Sequence, residues 1–341
     1  MNTNSYFSFG TQFENVGDTL INKNLLDLVS NNSDCYADFS RCPQTFKNEF
    51  SDSNYTDVNG YLSLCIQILK ARMSGKKCNF FFSPGGYIGE LSNAKFFNKI
   101  ILTLSYLFLL LIGVNFICLG VSYESLGKKN RFFIKLRSKL SKFNYVRDKK
   151  TYDYCIDNNI SVTEVKPDLA YYYDDIQSSK ETQDLLFSFR VDQSEKLKAE
   201  ILEQVTGFLA DKKERNVVFY SQVERDAPFM KECSEHFSQL GYNCQHVDKS
   251  TSLKETLAYF TENQFNVISN RLHVLLVSTL RGSKIIPVSD GVNNNKIEGL
   301  FKDANVKVEQ FSNIKDFKDE NFHEIKEYAV NRYNDLLKII F

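Results

Sequence analysis

Short apolar runs alternate with longer helix-like runs along nearly the whole chain, and this alternation constrains the fold more than any single motif. Strands are expected near 6–10, 79–83 and 115–120, with helices at 61–71, 96–111 and 150–158 and a further helix starting at Asp18. A polar stretch at 174–181 reads as a linker. Beyond it the series resumes: strands at 185–191, 216–220, 243–247, 267–269 and 284–288, and helices at 194–212, 228–240, 253–263 and 274–280. Strands separated by helices pair in parallel, so two such series predict an α/β protein with two Rossmann-like domains facing a cleft. The expected domains are 1–178 and 179–341, and a length of 341 residues suits two domains. A final helix is expected over 320–340, with Ile325, Tyr328, Ala329, Tyr333, Leu336 and Leu337 on one face. Residues 34–53 read as a loop or small insertion.

Composition removes several functions. Lys plus Arg and Asp plus Glu number 42 each. That balance argues against non-specific nucleic-acid binding as the main activity. The eight cysteines form no CxxC pair or Cys/His ligand spacing. They read as reduced, buried thiols of a cytosolic protein, and no metal site is expected. The polar amino terminus carries no signal-peptide pattern. No GxGxxG or Walker sequence occurs, so a dinucleotide or ATP fingerprint has no support.

The most informative stretch is 266–296, NVISNRLHVLLVSTLRGSKIIPVSDGVNNNK. A strand is followed by Arg271-Leu272-His273, an apolar helix, a turn at Gly282, a second strand, and a polar loop with Ser289, Asp290 and Lys296. In parallel α/β sheets ligands sit at the carboxyl ends of strands, against the amino ends of the following helices. Arg271 and His273 fall there. Arg271 is a permanent cation with a fork for carboxylate or phosphate, and His273 can move a proton near neutral pH. The bland alternative makes His273 a core residue capping the next helix. The other histidines, His236, His246 and His323, lie in ordinary helix, strand or tail contexts.

This stretch resembles the polysaccharide pyruvyl transferases, and further motifs extend the resemblance over about 15–296. Asn15-Val16-Gly17-Asp18 is similar to the N-x-G-D segment with which that family opens. Asn15, Gly17 and Asp18 are loop and helix-start candidates there; without the resemblance they read as a capped helix start. Gly85 and Gly86 match a glycine turn after a strand, although Ser83 and Pro84 stand where the family more often has Gly. Val146-Arg147-Asp148, a helix, and Pro167-Asp168 repeat a family series, making Arg147 either an anion ligand or a buried partner of Asp168 or Asp148. Arg190 ends the strand that opens the second domain. The resemblance implies a glycosyltransferase-B-like fold. It also implies transfer of the carboxyethylidene group of phosphoenolpyruvate onto two hydroxyls of a sugar. The setting would be capsule, exopolysaccharide or related surface-glycan synthesis.

Such a donor carries a carboxylate and a phosphate close together and needs several fixed cations. Arg271, Lys296, Arg147 and Arg190, with Ser289, are the candidate donor ligands, and His273 is the candidate catalytic acid–base. No cofactor beyond the donor is expected. The second domain would hold the donor and the first the acceptor. Two rivals stay open: a glycosyltransferase with a nucleotide-sugar donor on the same frame, and a non-catalytic protein of a polysaccharide assembly.

Residues 100–121 are apolar enough to pose as a membrane span, but a buried helix, a turn at Gly113 and a buried strand keep the alternation going. Residues 128–150 are strongly basic, with Phe132, Phe133, Ile134, Leu136 and Leu140 interleaved. They read as an amphipathic helix whose basic face suits anionic inner-leaflet lipid. A cytoplasmic enzyme, peripheral on the inner membrane and acting on a lipid-linked acceptor, would fit.

Overall fold

The computed structural model describes residues 2–172, 182–191, 194–289, 295–324 and 340, leaving aside the side chains of Ile88, Asn295, Lys296 and Asp303. The chain divides into two compact units. The first comprises Met1–Phe13, Asp18–Tyr172 and Ala329–Phe341, and the second Glu14–Gly17 and Tyr173–Tyr328. The division thus falls at 172/173 rather than 178/179. The tail groups with the first unit rather than closing the second. Of that tail the structure describes Ile340, which is buried and whose carbonyl accepts a 2.8 Å bond from Lys77. The expected terminal helix otherwise lies outside the described residues.

In chain order the first unit carries β1 (Thr3–Ser8), most of α1 (Val16–Ser30), β2 (Asp34–Asp38), α2 (Gln44–Asn48), β3 (Thr56–Val58), α3 (Tyr61–Met73), β4 (Lys77–Phe82) and β5 (Gly85–Gly89). It continues with α4 (Asn93–Leu111), β6 (Val114–Leu126), α5 (Lys128–Leu140), β7 (Ser141–Val146), α6 (Lys149–Asp157) and β8 (Glu164–Val165). The strands form one parallel sheet in the order β3-β2-β1-β4-β6-β7-β8, with β5 paired to β6. Its core is a packed set of aromatic and aliphatic side chains including Tyr6, Phe80, Phe82, Phe116 and Leu109.

The second unit carries β9 (Leu185–Ser188), α7 (Glu195–Leu209), β10 (Asn216–Ser221), α8 (Ala227–Gln239), β11 (Asn243–Asp248), α9 (Leu253–Glu262), β12 (Asn266–Ser269), α10 (Leu272–Leu280), β13 (Lys284–Ser289), α11 (Asn295–Asp303) and β14 (Glu309–Gln310). Its sheet is also parallel, in the order β11-β10-β9-β12-β13-β14. Phe187, Phe219, Phe208 and Phe237 fill one face. The central strands are mostly apolar and wholly buried because helices cover both faces of such a sheet. Helix starts follow local chemistry: Ser194 and Ser252 accept from the backbone amides of Leu197 and Glu255 and cap α7 and α9.

Four expectations are corrected. Residues 34–53 are not an insertion. They form β2 and α2, and Phe39, Phe46 and Phe50 pack their rings on Phe9 at 4.8–5.8 Å, anchoring the end of β1. The Gly85-Gly86 turn is shorter than expected: the bend is at Ser83-Pro84, and the glycines begin β5, which pairs with the outer half of β6. The basic run at 128–150 is not one helix, because Ser141–Val146 enters the sheet as β7 beside β6. Finally, α4 is not a buried helix. Only Leu109 is fully covered, while Phe97, Ile101, Leu104, Phe108 and Leu111 are open to solvent. The eight cysteines are all free, with Cys35, Cys78, Cys118, Cys155 and Cys233 buried.

Candidate functional site

In a doubly wound sheet the connections reverse direction at one pair of strands, and the loops leaving those strands diverge to open a crevice. In the second unit that pair is β9 and β12. Asn270, just after β12, stitches the two strand ends together. Its side chain accepts from the Arg190 amide at 2.6 Å and donates to the Arg190 carbonyl at 2.9 Å. Below it, Ser269 Oγ donates to the Ser188 carbonyl at 2.6 Å and accepts from the Arg271 amide at 2.9 Å. These bonds lock the backbone of both arginines at the switch point.

Arg271 stands at the N-cap of α10 and makes no side-chain cap there, so the first amides of α10 face the crevice without a capping side chain. Its guanidinium Nη2 instead donates to Asp226 Oδ1. Asp226 ends the turn Glu224–Asp226 that follows β10, so a third strand delivers to the same place. Arg271 Nε and Asp226 Oδ2 have no hydrogen-bond partner among the described residues. Burial pulls the Arg271 guanidinium below its usual value against the attraction of Asp226. Burial likewise pushes the Asp226 carboxyl up, opposed by the charges of Arg271, Arg225 and Arg190. The charges of three guanidinia thus act on one carboxylate, and Arg271 alone of them is shown bonded to it. The excess charge is positive, because arginine stays protonated.

His273 lies one helical step beyond Arg271, half-buried in the first turn of α10. Gly17 presses against it. A Cβ built on Gly17 would come within 1.9 Å of His273 Nδ1 and 2.2 Å of its Cγ, a distance no real side chain allows. Asn15 Oδ1 accepts from the Gly17 amide at 3.0 Å and fixes that approach. The segment Glu14–Gly17 belongs to the second unit, which is how two motifs far apart in sequence meet on one imidazole.

The other candidates are placed differently. Arg147 does not stand open as an anion ligand: it is 3% exposed and donates through Nη1 to Asp168 Oδ2 at 2.7 Å. Asp148 caps α6 by accepting from the Thr151 amide at 2.6 Å. The Val-Arg-Asp and Pro-Asp pairs are thus one buried framework in the first unit. Ser289 is fully buried, and its hydroxyl donates to Glu298 Oε1 at 3.3 Å. Asp290 and the Lys296 side chain lie outside the described residues. Asp18 Oδ2 accepts from the Thr11 hydroxyl at 2.8 Å and the Gln12 amide at 3.2 Å, ordering the loop after β1. Gly85 holds φ +109°, a conformation other residues rarely adopt, and a Cβ there would already touch Ile21 Cδ1 at 3.4 Å; Gly86 is exposed. Arg225 and Asp226 escaped the sequence reading. Their signal was a charged Glu-Arg-Asp turn between a strand and a Pro-started helix. Among the described residues no group of three or more His, Cys, Asp or Glu is set to hold a metal.

Two parallel Rossmann-like domains, the second ending in a cationic switch point, define a protein of the glycosyltransferase-B-like α/β class. The polysaccharide pyruvyl transferase family model matches residues 15–289, so the chain belongs to that family, whose members are transferases of polysaccharide synthesis. No curated protein matches the chain in sequence. Among solved structures the chain is similar to a UDP-GlcNAc 2-epimerase from Methanocaldococcus jannaschii, with a TM-score of 0.58 at 11% identity over 99% of each chain. It is also similar to S. aureus MnaA in its co-structure with UDP, with a TM-score of 0.57 at 10% identity, covering 99% of this chain and 94% of that one. The UDP-N-acetylglucosamine 2-epimerase from Rickettsia bellii gives 0.53 at 13% identity, with 99% and 94% covered. At such identities the likeness shows the fold alone.

Proposed function

We propose that the protein transfers the carboxyethylidene group of phosphoenolpyruvate to two hydroxyls of a sugar, forming a pyruvate ketal. The sugar would belong to a bacterial surface polysaccharide or its lipid-linked precursor, and the work would be done in the cytoplasm. The observation that carries this reading is the Arg271–Asp226 pair at the switch point, with the charges of Arg190 and Arg225 acting on the same carboxylate and His273 in the first turn of α10.

The chemistry follows from the donor. Its carboxylate and phosphate bring at least two negative charges to one small molecule, which three guanidinia and the open amides of α10 suit. The enol C3 gains a proton, and the C2 centre becomes oxocarbenium-like. One sugar hydroxyl adds to C2 and loses its proton, and the C2–O bond to phosphate breaks. The second hydroxyl then adds and loses its proton. One of the two hydroxyl protons balances that taken up at C3, and the other leaves on phosphate. His273 is the group we assign to these transfers, help typically worth ~10²–10⁴-fold in rate. The guanidinia stabilise the departing phosphate. No further cofactor enters this scheme.

Donor binding tests it without knowledge of the acceptor. The purified protein is titrated with phosphoenolpyruvate and with a panel of nucleotide sugars, and thermal stability is read. Ligand at 100–1,000 times its dissociation constant adds about 3–4 kcal/mol. Stabilisation by phosphoenolpyruvate that is lost in Arg271→Ala supports the proposal. Stabilisation by nucleotide sugars alone replaces it with the glycosyltransferase reading.

A further inference from the structure

Helix α4 has an outer face exposed to solvent, with no partner among the described residues of its unit. Its inner face is well used. Tyr106 packs its ring against Phe82 at 5.2 Å and Phe116 at 5.3 Å, Leu109 is fully buried, and Phe96 meets Phe133 of α5 at 5.3 Å. The opposite face repeats at helical spacing: Phe97 is 65% exposed, Ile101 69%, Leu104 60%, Phe108 51% and Leu111 85%. Scattered apolar residues on a surface need no explanation, but a continuous stripe of five along one helix does.

The surroundings of the stripe identify what covers it. Helix α5 packs beside α4 and adds Phe132, 58% exposed, between Lys128 and Lys139 at its two ends. Lys95, Lys128, Lys129, Arg131, Lys135 and Lys139 lie on these two helices, and neither helix contains an Asp or Glu. Glu90, close by, is occupied in accepting from the Lys129 and Asn130 amides at the start of α5. Since the whole chain carries equal numbers of acidic and basic residues, this one-sided basic charge is local. An apolar stripe on helices whose charges are all cationic complements a surface that is apolar within and anionic at its rim. A second copy of the same face would bring like charges together.

We infer that α4 and α5 form a membrane-docking face, with α4 lying in the plane of a bilayer of anionic phospholipid. By length and composition α4 could cross a membrane. Crossing would strip Tyr106 and Leu109 from the sheet. It would also break the 2.8 Å bond from Arg72 Nε to the Ile112 carbonyl at the end of α4. Lying flat leaves the inner face intact and buries the outer one in the headgroup and upper acyl region, where side chains such as Lys95 reach the phosphates. The inference is independent of which group the second unit transfers.

Flotation of the full chain with vesicles tests it. We expect binding to vesicles of phosphatidylcholine with a quarter phosphatidylglycerol, weak binding to phosphatidylcholine alone, and release at high salt. Ile101→Glu with Leu104→Glu lowers the partition coefficient more than tenfold, with unchanged donor-induced stabilisation and an unchanged melting transition. Lys128→Glu with Lys139→Glu lowers it roughly fivefold for each charge. If the glutamate pair impairs folding, Phe97→Ser with Leu111→Ser, at the two ends of the stripe, takes its place. The inference is overturned if the native chain ignores anionic vesicles, or if the α4 variants bind as the native chain does. It is equally overturned if those variants only convert a dimer to a monomer, which would assign the face to a second copy.

Discussion

Where its winding reverses, the first sheet joins β1 to β4 through a 3.0 Å bond from the Gly10 amide to Ser83 Oγ. At the matching place the second sheet joins β9 to β12 through Asn270 on the Arg190 backbone. Both are parallel sheets, and both crevices are held by a short polar side chain bridging two strand ends. They differ in what surrounds the bridge. The first gathers hydroxyls and a carboxylate, Thr11, Ser83 and Asp18, whereas the second gathers Arg190, Arg225, Arg271 and His273. The same geometry thus carries different side chains: cationic ones at the second switch point, hydroxyls and a carboxylate at the first. The winding supplies the crevice, and a few loop residues supply its chemistry.

Four substitutions sharpen or break this contrast. The largest effect is expected from Arg271→Ala, which leaves Asp226 buried beside a lost partner. Folding stability should drop by about 3–5 kcal/mol, and donor protection should vanish. A melting curve with and without phosphoenolpyruvate reads both. An unchanged curve would mean that the second crevice is not built around this pair. Next comes Gly17→Ala. The added methyl cannot coexist with the His273 ring where it now lies. Turnover should therefore fall roughly 10²-fold with donor affinity nearly intact, a kcat effect visible in initial rates. A parallel loss of donor affinity would show that His273 binds the donor rather than moving protons. Arg225→Ala is milder, because Arg225 is exposed and solvent screens it. The expected change is about a tenfold rise in donor KM that grows at low salt. The smallest effect belongs to Ser83→Ala in the first crevice. About 1 kcal/mol of stability is lost with its bond to Gly10, and phosphoenolpyruvate binding is unmoved. If Ser83→Ala weakens donor binding as much as Arg225→Ala does, the division of labour between the crevices is wrong.

Much of the fold was legible because parallel strands buried on both faces write themselves as short apolar runs between helices. Arg190, Arg271 and His273 were legible for the same reason: each stands where a strand ends. Arg225 and Asp226 occupy the equivalent place after β10, but nothing in Glu-Arg-Asp distinguishes a site turn from a solvated one until Arg271 is placed beside it. The segment containing β2 and α2 was unreadable because its five-residue elements are shorter than the periodicity that would reveal them, and its order comes from rings brought together by Phe9. Arg147 had two readings that only its partner could separate, and Asp168 is that partner. The outward face of α4 was hidden by its own composition, since apolar side chains stand on both its sheet-facing and its outer side and leave little mark of which meets the sheet.

The close fit of Gly17 to His273 also has a consequence in time. Gly17 leaves the ribosome about 250 residues before His273. At about 5–20 residues per second, the glycine waits roughly ten seconds to a minute for the imidazole it is shaped to meet. During synthesis the amino-terminal loop is finished early and idle. The chain acquires its proposed proton-transfer centre only once His273 has been made, so products truncated before it lack that centre however well their first sheet folds.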